Sequence, residues 1–192
     1  MKLQSSRFLL RDFVQEDFLA FRHYQTDPRY RALYDIDEGN DNFCASLFAL
    51  FLRWQTEEPR HNYQLGIFEI SSARLVGCGG VRLKQTDQSA AVLGLELIPD
   101  YWGRYKVALE VGECLAGFAF ESLQVDVIVS DTSSGNDRVT KIARKYGASK
   151  VDERQGPAWM SLRGFTEVDW ALTRDHWDNR PQFRRNAQLR TE

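Results

Sequence analysis

Glu96 stands in the middle of the run Leu93-Gly-Leu-Glu-Leu-Ile98, flanked by Leu95 and Leu97. In an extended strand those leucines face away from it. A carboxylate placed this way has the makings of a general base if its surroundings raise its proton affinity, although most charged strand residues simply face solvent. Pro99 ends the run. Asp100-Tyr-Trp-Gly-Arg-Tyr-Lys106 follows as a short basic turn, ahead of a helical pattern at Val107, Val111, Cys114, Leu115 and Phe118. A strand feeding a helix N-terminus leaves unpaired backbone N–H groups and the positive end of the helix dipole pointing into the turn. Arg104 and Lys106 add full charges there, so this turn is the place for a phosphate-bearing cofactor if the protein binds one.

Other constellations say less. Gly77-Cys-Gly-Gly80 lies inside a strand pattern, opens no helix and lacks the six-residue dinucleotide spacing, so a bulge or a close backbone approach is the better reading. No P-loop, nucleophile elbow or Cys/His pair is evident. Ser134-Gly-Asn-Asp137 matches a helix-capping pattern, and Asn136 beside it could also bond a ligand amide. A loop from Arg29 to Asp41 carries Asp35, Asp37, Glu38 and Asp41; it reads as solvated, and beside an active site it would favour a cation such as an amine. His23, His61 and His176 show no metal-ligand spacing, so no metal is expected.

These residues must be positioned by a chain of 192 residues, read as one domain. Apolar residues make up 43%, and 25 basic against 27 acidic side chains give a net charge of −2, which favours neither nucleic acid nor an anionic membrane. No apolar run is long enough to span a bilayer, and the polar start Met1-Lys-Leu-Gln-Ser-Ser-Arg7 does not read as a signal peptide. Cys44, Cys78 and Cys114 lie apart in apolar segments and are expected as buried free thiols in a reducing cytoplasm.

The periodicities predict a strand over Phe8–Phe13 and helices over Gln15–Tyr24 and Phe43–Thr56. Three strands follow, Tyr63–Ile70, Leu75–Leu83 and Ala91–Ile98, as an antiparallel meander with a polar turn over Gln85–Ser89. Next come a helix over Val107–Leu123, a strand over Val125–Val129, a helix over Asn136–Tyr146 stopped by Gly147, and a closing pair of strands at Trp159–Leu162 and Phe165–Leu172. The result is a single α/β (α+β) domain over residues 1–174, with a mixed, mostly antiparallel sheet flanked by helices. A polar tail, frayed or helical, follows over 175–192.

Taken in order, four stretches resemble the GCN5-related N-acetyltransferase superfamily, and within it the bacterial branch of ribosomal-protein-alanine acetyltransferases. They are Arg7-Phe-Leu-Leu-Arg-Asp-Phe13 with Glu16-Asp17, Leu75-Val-Gly-Cys-Gly-Gly80, Gly94 through Pro99-Asp-Tyr-Trp-Gly-Arg104 to Glu110, and Asn136-Asp-Arg-Val139 with Arg144-Lys-Tyr-Gly-Ala148. Asp169-Trp-Ala-Leu-Thr-Arg174 resembles the branch's last strand. The resemblance implies acetyl-CoA as acetyl donor and transfer to a primary amine of a small molecule or a protein N-terminus; a homodimer is left open. It places the pantetheine arm along Leu95, Leu97 and Ile98, the pyrophosphate on the turn Trp102, Gly103, Arg104, Tyr105, Lys106, Val107 and Ala108, and Asn136 on the pantetheine. Glu96 becomes the catalytic base, with a backbone N–H near Leu97 for the oxyanion. Two departures stand out. The family's loop glycine is replaced at Tyr105 or Lys106, and Ala143 stands where many relatives carry an acidic tyrosine. They leave open a second reading, a binding or scaffold protein of this fold with weakened turnover.

Overall fold

The computed structural model describes residues 1–32, 40–84 and 86–180, with Tyr105 described by its backbone. Asp35, Asp37 and Glu38 of the acidic loop, Gln85, and the tail beyond residue 180 lie outside the described residues. The chain opens with strands β1 (Lys2–Gln4) and β2 (Phe8–Asp12), a 3-10 turn, and helices α1 (Phe18–Gln25), α2 (Pro28–Arg31) and α3 (Asp41–Trp54). The meander β3 (Asn62–Glu69), β4 (Leu75–Lys84) and β5 (Asp87–Leu97) follows. After a 3-10 turn at Pro99–Tyr101 come α4 (Tyr105–Gly117), continued by a π-helical turn to Ser122, then β6 (Val127–Ser133), α5 (Asp137–Lys145), β7 (Ser149–Arg154), α6 (Ala158–Ser161), β8 (Glu167–Thr173) and α7 (Arg174–Asp178).

The strands form one mixed eight-stranded sheet in the order β1-β2-β3-β4-β5-β6-β8-β7. Every pairing is antiparallel except β5 with β6, which is parallel and confined to Ala90↔Val127, Ala91↔Ile128 and Val92↔Val129. Beyond Val92 the strands separate. β6 continues only with β8, while β5 runs on from Leu93 to Leu97 paired only with β4.

Side-chain alternation on β4 and β5 sets the two layers. On one face α1 and α3 bury Phe21, Phe48 and Phe51, which pack against Phe13 with ring centroids 5.2–5.9 Å apart. On the other face α4 buries Val107, Val111, Cys114 and Leu115. Leu95 touches this layer, its Cδ2 lying 4.0 Å from where a Gly112 Cβ would stand.

Glycines 77 and 80 serve close approach. A Cβ on Gly77 would stand 2.2 Å from the Glu96 carbonyl oxygen, and one on Gly80 would stand 2.3 Å from that of Tyr63. The register of β4 on β3 also shifts opposite Ile67 and Phe68, so the bulge and the close approach coincide.

Several boundaries differ from the sequence reading. Trp159–Leu162 is not a strand: Pro157 precedes a helical turn, and β8 lies between β6 and β7. Every residue of β7 is exposed, so that strand carries no hydrophobic alternation to read. Part of the expected loop after Asp27 is helical, because the Asp27 side chain accepts from the Arg29 N–H with Pro28 in the first turn. The strand expected at Val125–Val129 is shifted to Val127–Ser133, with Val125 buried in its lead-in. Beyond Arg174, Trp177 is buried and stacks on Phe120 at 5.4 Å. All three cysteines are buried and free.

Candidate functional site

Glu96 lies on the α1 side of β5, half-buried, and both its oxygens are engaged. Oε1 accepts from Tyr24 Oη at 2.6 Å, Gln25 Nε2 at 2.9 Å and Cys78 Sγ at 3.0 Å. Oε2 accepts from the Tyr30 hydroxyl. Gln25 Nε2 also lies 3.2 Å from Tyr30 Oη, and Gln64 Nε2 donates to Cys78 Sγ at 3.1 Å. Each donor has a local reason to be there. Tyr24 and Gln25 end α1, Pro28 and the Asp27 cap turn the chain so that Tyr30 comes back within 5.4 Å of the Tyr24 ring, and Cys78 sits opposite Glu96 in the ladder.

Burial, followed by the neighbouring Cys78 and Glu96 charges, pushes the Tyr24 phenol well above its ordinary pKa. Burial, followed by the Glu96 charge, does the same to the Cys78 thiol. Both groups are therefore protonated donors at neutral pH. The result is a carboxylate held in place by donors on both of its oxygens. Sequence reasoning singled out Glu96 but missed Tyr24, Gln25, Tyr30 and Gln64. The legible signal was Tyr24-Gln25 closing an amphipathic helix just before Pro28, with Tyr30 on the far side of the turn.

The second part of the site is the open edge of β5 and the turn after it. The Ile98 N–H bonds back to the Val76 carbonyl at 2.9 Å, so Ile98 faces β4 rather than the open side. Successive residues of a strand point their backbone groups to opposite sides. Leu95 and Leu97 therefore present theirs to the gap. The Leu97 carbonyl accepts from the indole Nε1 of Trp102 at 2.8 Å.

Gly103 has a φ of 77° with open space where a Cβ would lie. That one glycine takes up the turn, and α4 begins directly at Tyr105. Among the described non-glycine residues positive φ occurs only at Ala73 and Gln124, so Tyr105 and Lys106 need no glycine-like conformation. Their N–H groups lead the helix into the turn. The Val107 N–H is taken by the Arg104 carbonyl at 2.8 Å, and its side chain is buried. Ala108 is half-buried, one position further into the helix.

Arg104 and Lys106 are exposed, and the Arg104 guanidinium lies 4.6 Å from the Tyr101 ring centroid. Asn136 caps α5 by accepting from the Val139 N–H at 3.3 Å, which leaves its amide N–H₂ for other acceptors. Ser134 is not the cap that the pattern suggested; its Oγ accepts from the Thr166 N–H at 2.9 Å. Arg138, in the first turn of α5, lies 5.0 Å from the Trp102 ring centroid. Among the described residues no group of metal-ligating side chains occurs, and no helix is long and apolar enough to cross a membrane.

Glu96 thus faces one layer, while the Leu95–Leu97 edge, the N-terminus of α4, Trp102 with Arg138 over it, and Asn136 at the start of α5 border the gap between β5 and α5. The arrangement can hold an anionic, amide-bearing ligand on the edge of β5 and present its end to a carboxylate.

Residues 7–149 match the family model described as Acetyltransferase (GNAT) domain. No curated protein sequence matches the chain. Among solved structures, an acetyltransferase (GNAT family) from Bacillus anthracis superposes with a TM-score of 0.74 at 15% identity, over 91% of this chain and 99% of that one. The ribosomal-protein-S5-alanine acetyltransferase from Vibrio fischeri gives 0.76 at 12% identity, over 92% and 98%. A chimaera of the spermidine N-acetyltransferase from Vibrio cholerae gives 0.74 at 12% identity, over 91% and 100%. At these identities the likeness is one of fold.

Proposed function

Because this chain belongs to the GNAT acetyltransferase family, we propose that it transfers the acetyl group of acetyl-CoA to a primary amine by direct attack. The observation that carries the proposal is the stretch of β5 beyond Val92, which has no strand partner on its β6 side, carries Glu96 and leads to the N-terminus of α4. The residues present fit the donor. Leu95 and Leu97 offer backbone groups to the amides of a pantetheine arm, and Asn136 offers its side-chain amide. The N–H groups of Tyr105 and Lys106, with the charges of Arg104 and Lys106, suit a pyrophosphate. The donor supplies an electrophilic thioester carbonyl.

The protein's part is positional and electrostatic. Holding both reactants together removes much of the entropic barrier. The acceptor must lose a proton before it can attack, and Glu96, directly or through a water, is the group assigned to take it. The Leu97 N–H faces the same gap as its carbonyl and is the donor for charge developing on the thioester oxygen. The acceptor is read as a small-molecule amine or a protein N-terminus, and the three buried free thiols fit a reducing cytoplasm.

A second reading also has an observation behind it. Glu96 is held by four donors, so both its oxygens are already engaged and an acceptor must displace a donor to be deprotonated there. On that reading the protein binds acetyl-CoA without appreciable turnover.

Thermal denaturation with acetyl-CoA, followed by thiol release with a panel of amines, tests both. A ligand that binds only the folded form adds about 2.7 kcal/mol at a hundredfold excess over Kd. Stabilisation with amine-dependent thiol release supports the transferase. Stabilisation without it supports the binding protein. No stabilisation with millimolar acetyl-CoA overturns both.

A further inference from the structure

Arg138 is set apart from most arginines of this protein. Arg7, Arg22, Arg29, Arg60 and Arg74 each hold a carboxylate at 2.6–3.0 Å. Arg138 forms no ion pair or hydrogen bond among the described residues. It is exposed on the first turn of α5, and its guanidinium rests over the indole of Trp102. Trp102 is in turn fixed by its Nε1–H on the Leu97 carbonyl. Leu97, Trp102 and Arg138 therefore form a bridge from the end of β5 to α5, across the gap where the two halves of the sheet part. Arg104 and Lys106 stand on a different element, at the start of α4.

We propose that Arg138 is a phosphate-binding residue for the acyl donor, parked on Trp102 when the gap is empty and turned onto the donor's phosphates when it is filled. The proposal rests on the acetyl-CoA reading above and adds to it a ligand-contacting residue on the α5 wall. The parked contact is a cation–π pair open to water, one of the weaker uses of a guanidinium. A phosphate offers the same group two charge-assisted hydrogen bonds in the geometry its planar fork matches. The exchange therefore favours the phosphate, and it costs the empty protein no ion pair. The long side chain moves while α5 stays in place. Leaving the indole also frees Trp102 to shift from the Leu97 carbonyl, which a pantetheine amide could then use.

The test is the affinity for acetyl-CoA, by titration calorimetry at low and high salt, of the wild type, Arg138→Ala and Arg138→Gln. Position 138 is exposed, and circular dichroism melts confirm that the variants fold. The expected result is about tenfold weaker binding for both variants at low salt, equivalent to ~1.4 kcal/mol, with a smaller deficit at high salt because screening weakens the lost charge pair. Wild-type affinity in Arg138→Ala overturns the proposal and leaves the acetyl-CoA reading standing. So does a loss in Arg138→Ala that Arg138→Gln does not share, since that would mark a packing role. Failure of the wild type to bind acetyl-CoA overturns both.

Discussion

Cys78 and Glu96 are direct partners in the β4–β5 ladder, and the Cys78 thiol donates to Glu96 Oε1 at 3.0 Å. The pair ties the carboxylate to the buried floor of the sheet, while Tyr24, Gln25 and Tyr30 tie it to the helices above. Glu96 is therefore fixed from both sides before any acceptor arrives, and such preorganisation is what a site uses to act on developing charge.

Replacing Glu96 with Gln keeps the size but removes the charge and turns an amide N–H₂ toward groups that themselves donate. Turnover at neutral pH is expected to fall by about a hundredfold or more, the usual scale for loss of an acid–base group, with the Kd for acetyl-CoA unchanged. Steady-state thiol release together with calorimetry checks this; unchanged turnover removes Glu96 from the mechanism.

Lys106 stands exposed in the first turn of α4, with no carboxylate partner among the described residues. Lys106→Ala is expected to weaken acetyl-CoA binding severalfold at low salt and less at high salt, because exposed charge pairs are screened. Equal affinity at both salts would show that the lysine points away from the phosphates.

Glu110 anchors the β1–β2 turn to α4, accepting from Ser5 Oγ at 2.7 Å, Ser6 Oγ at 2.9 Å, and the Arg7 N–H and Nε at 2.8 and 2.7 Å. Burial alone would raise its pKa, but the Ser5, Arg7 and Ser6 bonds outweigh burial and leave it below the ordinary 4.5. A depressed folded-state pKa contributes stability that is present above the unfolded value and lost as pH falls through the folded one. Wild type should therefore exceed Glu110→Gln in urea stability by about 1–2 kcal/mol at pH 7. The gap should narrow below pH 4.5. A gap independent of pH would mean that packing, not charge, does the anchoring.

Gly77→Ala brings a Cβ against backbone, 2.2 Å from the Glu96 carbonyl oxygen and 2.9 Å from the Leu97 Cα. Neither atom belongs to a flexible side chain, so β4 and β5 must part locally. The expected cost is at least about 2 kcal/mol by urea denaturation, with a matching loss of acetyl-CoA affinity because the displaced segment is the one that lines the gap. A stable variant with full affinity would show that the strands give way freely.

Much of this was legible in the residues themselves. The meander was readable because Tyr63–Ile70, Leu75–Leu83 and Ala91–Ile98 are apolar runs with polar breaks, and the basic turn because Pro99 halts a strand just before a helical period begins. What escaped had no local signature. β7 is exposed throughout, with Val151 its one apolar residue, and only β8 makes it a strand. The α6 turn follows Pro157 within a short apolar run that reads equally as extended chain. The conformation of the loop with the replaced glycine was not legible, because sequence alone does not show that Gly103 takes up the turn and lets Tyr105 start the helix. The ring of donors on Glu96 was hidden because its members come from α1, α2 and β4 and meet only when the layers close.

The parallel seam between β5 and β6 is three residue pairs long, extended by the Asp126 N–H on the Ser89 carbonyl, and among the described strands it is the one ladder that joins those before it to those after it. Each side of the seam is an antiparallel block with its own ladder. Protection of backbone amides against exchange with solvent should then divide along this line, because cooperative opening follows contiguous hydrogen-bonded units. The walls of the gap would belong to different units, one holding Glu96 and the other Asn136 and Arg138. Whatever spans the gap would weld those units together, and would be felt as slower exchange in strands it never touches.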